Sequence, residues 1–279
     1  MSIWDKILQL DRRWIYLMVA LAVIFPLIVP MTFKIYVTPE VRQLYNAIDS
    51  LPDSSVVMLT FDYYPSTLAE TEPMSVAALN QLFQKNCKVL TLTTVPLGGP
   101  SIAERVTRKI AKKYHKVYGV DYVNLGYKAN YVAVLKGIGT SLEAIYPTDN
   151  SGTPLSKLPM MKHIKNYNDM KFIFVVSDNG IVDYWISIVN AQYGIPIGSG
   201  VTAVMAPKFY SYIGSKQMTG LLGGMKGAAE YEILVKEKGM AVKGMAMQSL
   251  VHLLIIGLVI LGNVAFFASR KNHKKGEHF

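Results

Sequence analysis

Hydrophobic and polar positions divide the chain into three zones. Residues 14–33 (WIYLMVALAVIFPLIVPMTF) carry no charge, with Arg12 and Arg13 before them and Lys34 after. Residues 249–268 (SLVHLLIIGLVILGNVAFFA) form a second uncharged run, followed by Arg270, Lys271, Lys274 and Lys275. A bilayer core about 30 Å thick is crossed by about 20 apolar helical residues, so each run predicts a transmembrane helix. The first reads as an uncleaved signal anchor. Its apolar part is too long for a signal peptide, and no small-residue cleavage pattern follows. Pro26 and Pro30 fall inside it, and Pro26 is expected to kink the helix.

The middle zone alternates short apolar runs with amphipathic ones. A helix over residues 39–49 is expected from Val41, Leu44, Tyr45 and Ile48 at helical spacing. Strands are expected at 56–61 (VVMLTF), 87–95 (CKVLTLTTV), 122–127 (YVNLGY), 171–178 (KFIFVVSD) and 200–207 (GVTAVMAP). Helices are expected at 74–86, 98–119, 131–146 and 181–194, with a polar loop at 147–159. Strands without polar alternation, each followed by a helix, signal a parallel sheet covered on both faces. The fold class expected is α/β: a doubly wound, mostly parallel five-stranded sheet of Rossmann- or flavodoxin-like layout, set between two transmembrane helices. The parts are a cytoplasmic tail (1–13), a first span (14–33), a helical linker (34–54), a soluble domain (55–238), a juxtamembrane linker (239–248), a second span (249–268) and a basic cytoplasmic tail (269–279).

Charge sets the orientation. The net charge is +10, and residues 34–248 hold 22 Lys and Arg against 16 Asp and Glu. Basic residues crowd the terminal side of both runs, so both termini are expected in the cytoplasm and the domain outside it. A mildly basic domain beside a bilayer fits anionic lipid, and no nucleic-acid motif is present. Cys87 is the only cysteine, which excludes an internal disulfide and a cysteine zinc site. At the start of a buried strand it reads as a core residue.

Candidate chemistry follows from the sheet. Ligands of open parallel sheets bind beyond the carboxyl ends of the strands, near the reversal of strand order. Residues just after the expected strands include Asp62, Tyr64, Glu70, Glu72, Thr94, Lys128, Asp178, Asn179, Asp183, Lys208 and Tyr210. Gly98, Gly99, Pro100 and Ser101 open a helix and offer an anion site, or a plain strand-to-helix turn; Lys128 is the cation expected to join them. Asp62 and Asp178 end two strands alike. They converge on a hard cation if those strands are neighbours, or each caps the helix or turn that follows it. Glu70 and Glu72 are expected to cap a helix starting near Pro73. The five histidines lie in no catalytic pattern, and His252 falls one turn into the second run. No cofactor motif appears.

Residues 217–244 (QMTGLLGGMKGAAEYEILVKEKGMAVKG) are expected to be helical. Gly220 with Gly224, and Gly223 with Gly227, then form small-residue pairs four apart. They admit either the domain's own sheet or a second subunit. With 17 tyrosines, many near expected loop ends, the composition suits a protein interface or a wet cleft. The leading expectation is a membrane-anchored structural protein whose domain forms a homo-oligomer at the membrane surface. A tethered domain for an anion or nucleotide-like ligand is the alternative, and a metal-assisted hydrolase or transferase the third.

Overall fold

The computed structural model describes residues 3–29 and 34–276. The chain divides into two compact units, Met1–Lys34 with Lys243–Phe279, and Ile35–Val242.

In the first unit, α1 (Ile3–Leu8) precedes α2 (Arg12–Ile28), whose N-cap Asp11 accepts from the Arg13 N–H at 2.9 Å. Pro26 sits inside α2. Val29 takes an extended conformation (φ −102°, ψ 113°), as the residue before a proline is driven to do, so α2 stops after 17 residues. Among the described residues one helix is long and apolar enough to cross a membrane: Met240–Arg270, of mean hydropathy 2.5, within the C-terminal helix Met240–Gly276. Of the two expected spans this supports the second; residues 30–33 of the first run lie outside the described residues.

The second unit is a single parallel sheet with helices on both faces. Its strands are β1 (Val56–Asp62), β2 (Lys88–Thr93), β3 (Tyr122–Tyr127), β4 (Phe172–Ser177), β5 (Ile197–Val201) and β6 (Gly220–Gly223), in the order β3-β2-β1-β4-β5-β6. That order belongs to the Rossmann-like layout rather than the flavodoxin-like one. The five-stranded expectation is corrected to six. In β1, β2 and β4 nearly every position is buried, which is why their sequences lack polar alternation.

The helices are α3 (Pro39–Asp49), α4 (Leu68–Gln84), α5 (Gly99–Lys113), α6 (Tyr131–Thr140), α7 (Leu142–Ile145), α8 (Ile181–Tyr184), α9 (Ala191–Tyr193), α10 (Ala206–Gly214) and α11 (Gly224–Val235). A π-helical segment, Trp185–Asn190, joins α8 to α9. Met58, Leu90, Leu92, Ile173 and Val175 face a core completed by Val134, Leu135, Ile138, Trp185, Val189 and Phe209. Alternate residues of the same strands turn to the other face, where the Phe174 and Tyr231 rings meet edge-on at 6.1 Å.

Gly220 and Gly223 bound a strand, so the expected glycine-paired helix over 217–244 is corrected. A Cβ at Gly220 would lie 2.5 Å from the Glu40 carbonyl oxygen and 2.6 Å from the Leu44 nitrogen, so its bare backbone is what lets α3 lie against the sheet. Gly224 turns the chain at φ +61°, and a Cβ at Gly227 would meet the Leu222 backbone at 2.8 Å. Gly223 faces the Ala206 Cβ at 2.9 Å in the same way. All four lie close to atoms of their own domain.

Candidate functional site: the carboxyl edge of the sheet

Because all six strands are parallel, their carboxyl ends meet at one edge, and the strand order reverses between β1 and β4. The register pairs Asp62 with Ser177, so Asp62 and the adjacent Asp178 do stand side by side at the reversal. Each is occupied as an acceptor. Asp62 Oδ1 accepts from the Thr94 N–H at 2.6 Å and from Thr94 Oγ1 at 2.8 Å, fastening the end of β2 to the end of β1. Asp178 Oδ2 accepts from the Tyr64 N–H at 2.8 Å and Thr67 Oγ1 at 2.7 Å, fixing the turn into α4. Asn179 Nδ2 donates to the Asp62 carbonyl at 2.8 Å. Neither caps the helix or turn that follows its own strand: Asp62 holds the end of β2, and Asp178 holds the turn after β1.

Asp62 is wholly buried, with the Thr60 hydroxyl and the Trp185 indole N–H as its polar neighbours beside Thr94. Burial raises the Asp62 pKa. The Thr60, Thr94 and Trp185 dipoles oppose that rise without overturning it. Ionisation is therefore harder in the folded chain than in the unfolded one. The associated stability is complete below the ordinary carboxylate range, near pH 4, and is lost as pH climbs through the raised value. Asp62→Asn removes this dependence. Relative to the variant, the unmodified chain is expected to lose about 1.4 kcal/mol for each tenfold rise in the carboxyl's proton affinity on folding. Thermal unfolding of both proteins between pH 4 and pH 8 measures this; parallel curves would refute it.

The remaining sequence candidates disperse. Gly98 adopts φ +84° and accepts from Ser101 Oγ at 2.9 Å, while Gly99 packs on Thr93. These are the contacts of a tight strand-to-helix turn. Lys128 donates to the Ile145 carbonyl and lies 5.5 Å from the centre of the Tyr146 ring, tying the end of β3 to α7 rather than facing Gly98 and Ser101. Glu70 and Glu72 lie within α4, which begins earlier than expected. Glu72 forms a two-pronged pair with Arg105, and Glu70 accepts from the Ala203 N–H at 2.8 Å. Cys87 is buried, which pushes its thiol up to about 11.

What the edge does share is exposed apolar surface. Tyr64 follows β1, Leu97 follows β2, Tyr127 ends β3 and Tyr131 follows it, Tyr184 follows β4, and Val204 and Tyr210 follow β5. Leu97 is 71% and Val204 90% exposed, and the Tyr131 and Tyr184 rings meet edge-on at 4.9 Å. Elsewhere on the domain Val117, Tyr118 and Val120 are exposed in the loop before β3, and Tyr36 is exposed before α3. Composition pointed to the tyrosines. Leu97 and Val204 were missed because an isolated apolar residue in a loop carries no periodic signal, and Trp185 because its helical pattern reads as ordinary core. No family model matches this chain, and neither a curated protein nor a solved structure does.

Proposed function

We propose that this chain is a membrane-anchored assembly protein whose α/β domain associates with further copies of itself through the carboxyl edge of its sheet. The observation that carries the reading is the rim of exposed apolar side chains on that edge, headed by Leu97 and Val204. Apolar and aromatic tips on loops held by a rigid sheet are the usual material of a protein interface. Anchoring favours self-association, since copies confined to one bilayer meet at raised effective concentration. In this reading residues 14–33 are a second span, α2 supplying its first turns with Trp14, Leu17, Leu21 and Ile24 exposed. The basic flanks set both termini in the cytoplasm and the domain outside. The mass of the detergent-extracted particle tests the proposal: Leu97→Glu with Val204→Glu is expected to reduce it.

A further inference from the structure

β3 is an edge strand, and its register against β2 slips by one residue: Thr91 pairs with Asn124 and Thr93 with Tyr127. Such a bulge re-aims the side chains beside it. Gly126 makes it possible at φ +77°, with Asn150 so close that an added Cβ would lie 2.5 Å from its Oδ1. Beside the bulge, a pocket of about 70 Å³ lies between α5, β3 and the loop after α7, lined in part by Glu104, Thr107, Arg108, Tyr122, Asn124 and Asn150. That is room for about two water-sized groups.

Two of its walls are polar and unsatisfied. Asn124 is 4% and Thr107 1% exposed, yet Asn124 Nδ2 and Thr107 Oγ1 have no hydrogen-bond partner among the described residues. The Asn124 amide cannot be turned round to relieve this, because its Oδ1 already accepts from the Gly126 N–H at 3.0 Å. The orphan is therefore a donor, and it calls for an acceptor. Glu104 does not supply one: it is paired with Arg108 and accepts from Asn150 Nδ2 at 3.2 Å. The neighbouring groove on α5 sets four cations, Arg105, Arg108, Lys109 and Lys112, beside one carboxylate, Glu104, an excess of positive charge.

We propose that this pocket binds a carboxylate group, one oxygen accepting from Asn124 Nδ2 and Thr107 Oγ1, with Arg108 shared between that group and Glu104 as the countercharge. The group is that of a small free acid or that of a protein chain end. The full chain in detergent is unfolded thermally at neutral pH with sodium formate or acetate, against sodium chloride at equal ionic strength. A parallel titration uses a short peptide with a free carboxyl terminus and its amidated form. A saturable rise of about 3 °C is expected near ten times the dissociation constant. A rise with the small acids assigns a free carboxylate, and a rise confined to the free-ended peptide assigns a chain end. Thr107→Val removes an unpartnered hydroxyl without changing shape. It is expected to unfold at the wild-type temperature or slightly above, and to lose at least half of the ligand-induced rise; Arg108→Gln is expected to abolish it. No rise beyond chloride in either arm, or equal rises in both variants, would overturn the assignment and leave a pocket for water alone.

Discussion

Glu232→Leu is expected to destabilise the domain by about 3 kcal/mol or more, because three backbone donors lose their only charged acceptor at once. Glu232 on α11 is buried. Its carboxylate accepts from the Gly239 N–H at 2.9 Å, the Ala241 N–H at 3.0 Å and the Val242 N–H at 2.9 Å. These are the free amides at the start of the C-terminal helix, where negative charge is also favoured by the aligned peptide dipoles. Two residues earlier, Glu230 accepts from both the backbone N–H and Oγ1 of Thr38 at 2.7 Å, and pairs with Lys226. A single helix thus grips the chain where it enters the domain and where it leaves. Leucine matches the size of the glutamate and keeps the packing, so the loss is one of hydrogen bonds. Glu232→Gln keeps an acceptor oxygen and is expected to cost less than half as much. Thermal unfolding and tryptic cleavage after Lys238 report both; an unchanged melting temperature in Glu232→Leu would show that the grip contributes nothing.

Gly220→Val is expected to cost about 3 kcal/mol, by forcing apart two elements that touch through backbone. The new Cβ would lie 2.5–2.7 Å from Glu40 O, Leu44 N and Leu44 Cβ, and two of those atoms are main chain that no rotamer change can move. Gly214→Ala serves as the comparison, since its added Cβ meets nothing within 4 Å. Chemical denaturation of the two variants separates them. If Gly220→Val unfolds like Gly214→Ala, α3 does not lie on β6 as described. The same clash means that substituting this glycine cannot report on self-association, because the fold fails first.

These two sites mark where the sequence was readable and where it was not. Long apolar runs such as 56–61 and 171–178 are legible because a strand buried on both faces needs every position apolar. The sixth strand, GLLG, is four residues long, and half of it has no side chain with which to show a period. Glycine spacing there imitated a helix ridge, although its cause was the approach of α3. The Asp62 and Asp178 juxtaposition was conditional on neighbouring strands, and strand order met the condition. Their hydrogen bonds to Thr94, Tyr64 and Thr67 were hidden because the partners lie far away in sequence or inside a turn. Asn124 offered the one overlooked cue, an amide in the middle of YVNLGY, where a buried polar group demands a partner.

Light scattering on the detergent-extracted chain during size-exclusion chromatography tests the central claim most directly. A defined multimer is expected for the wild type, and a single copy for Leu97→Glu with Val204→Glu, whose side chains are too exposed for the change to disturb the core. A wild-type monomer, or a multimer that survives both substitutions, would contradict assembly through the carboxyl edge.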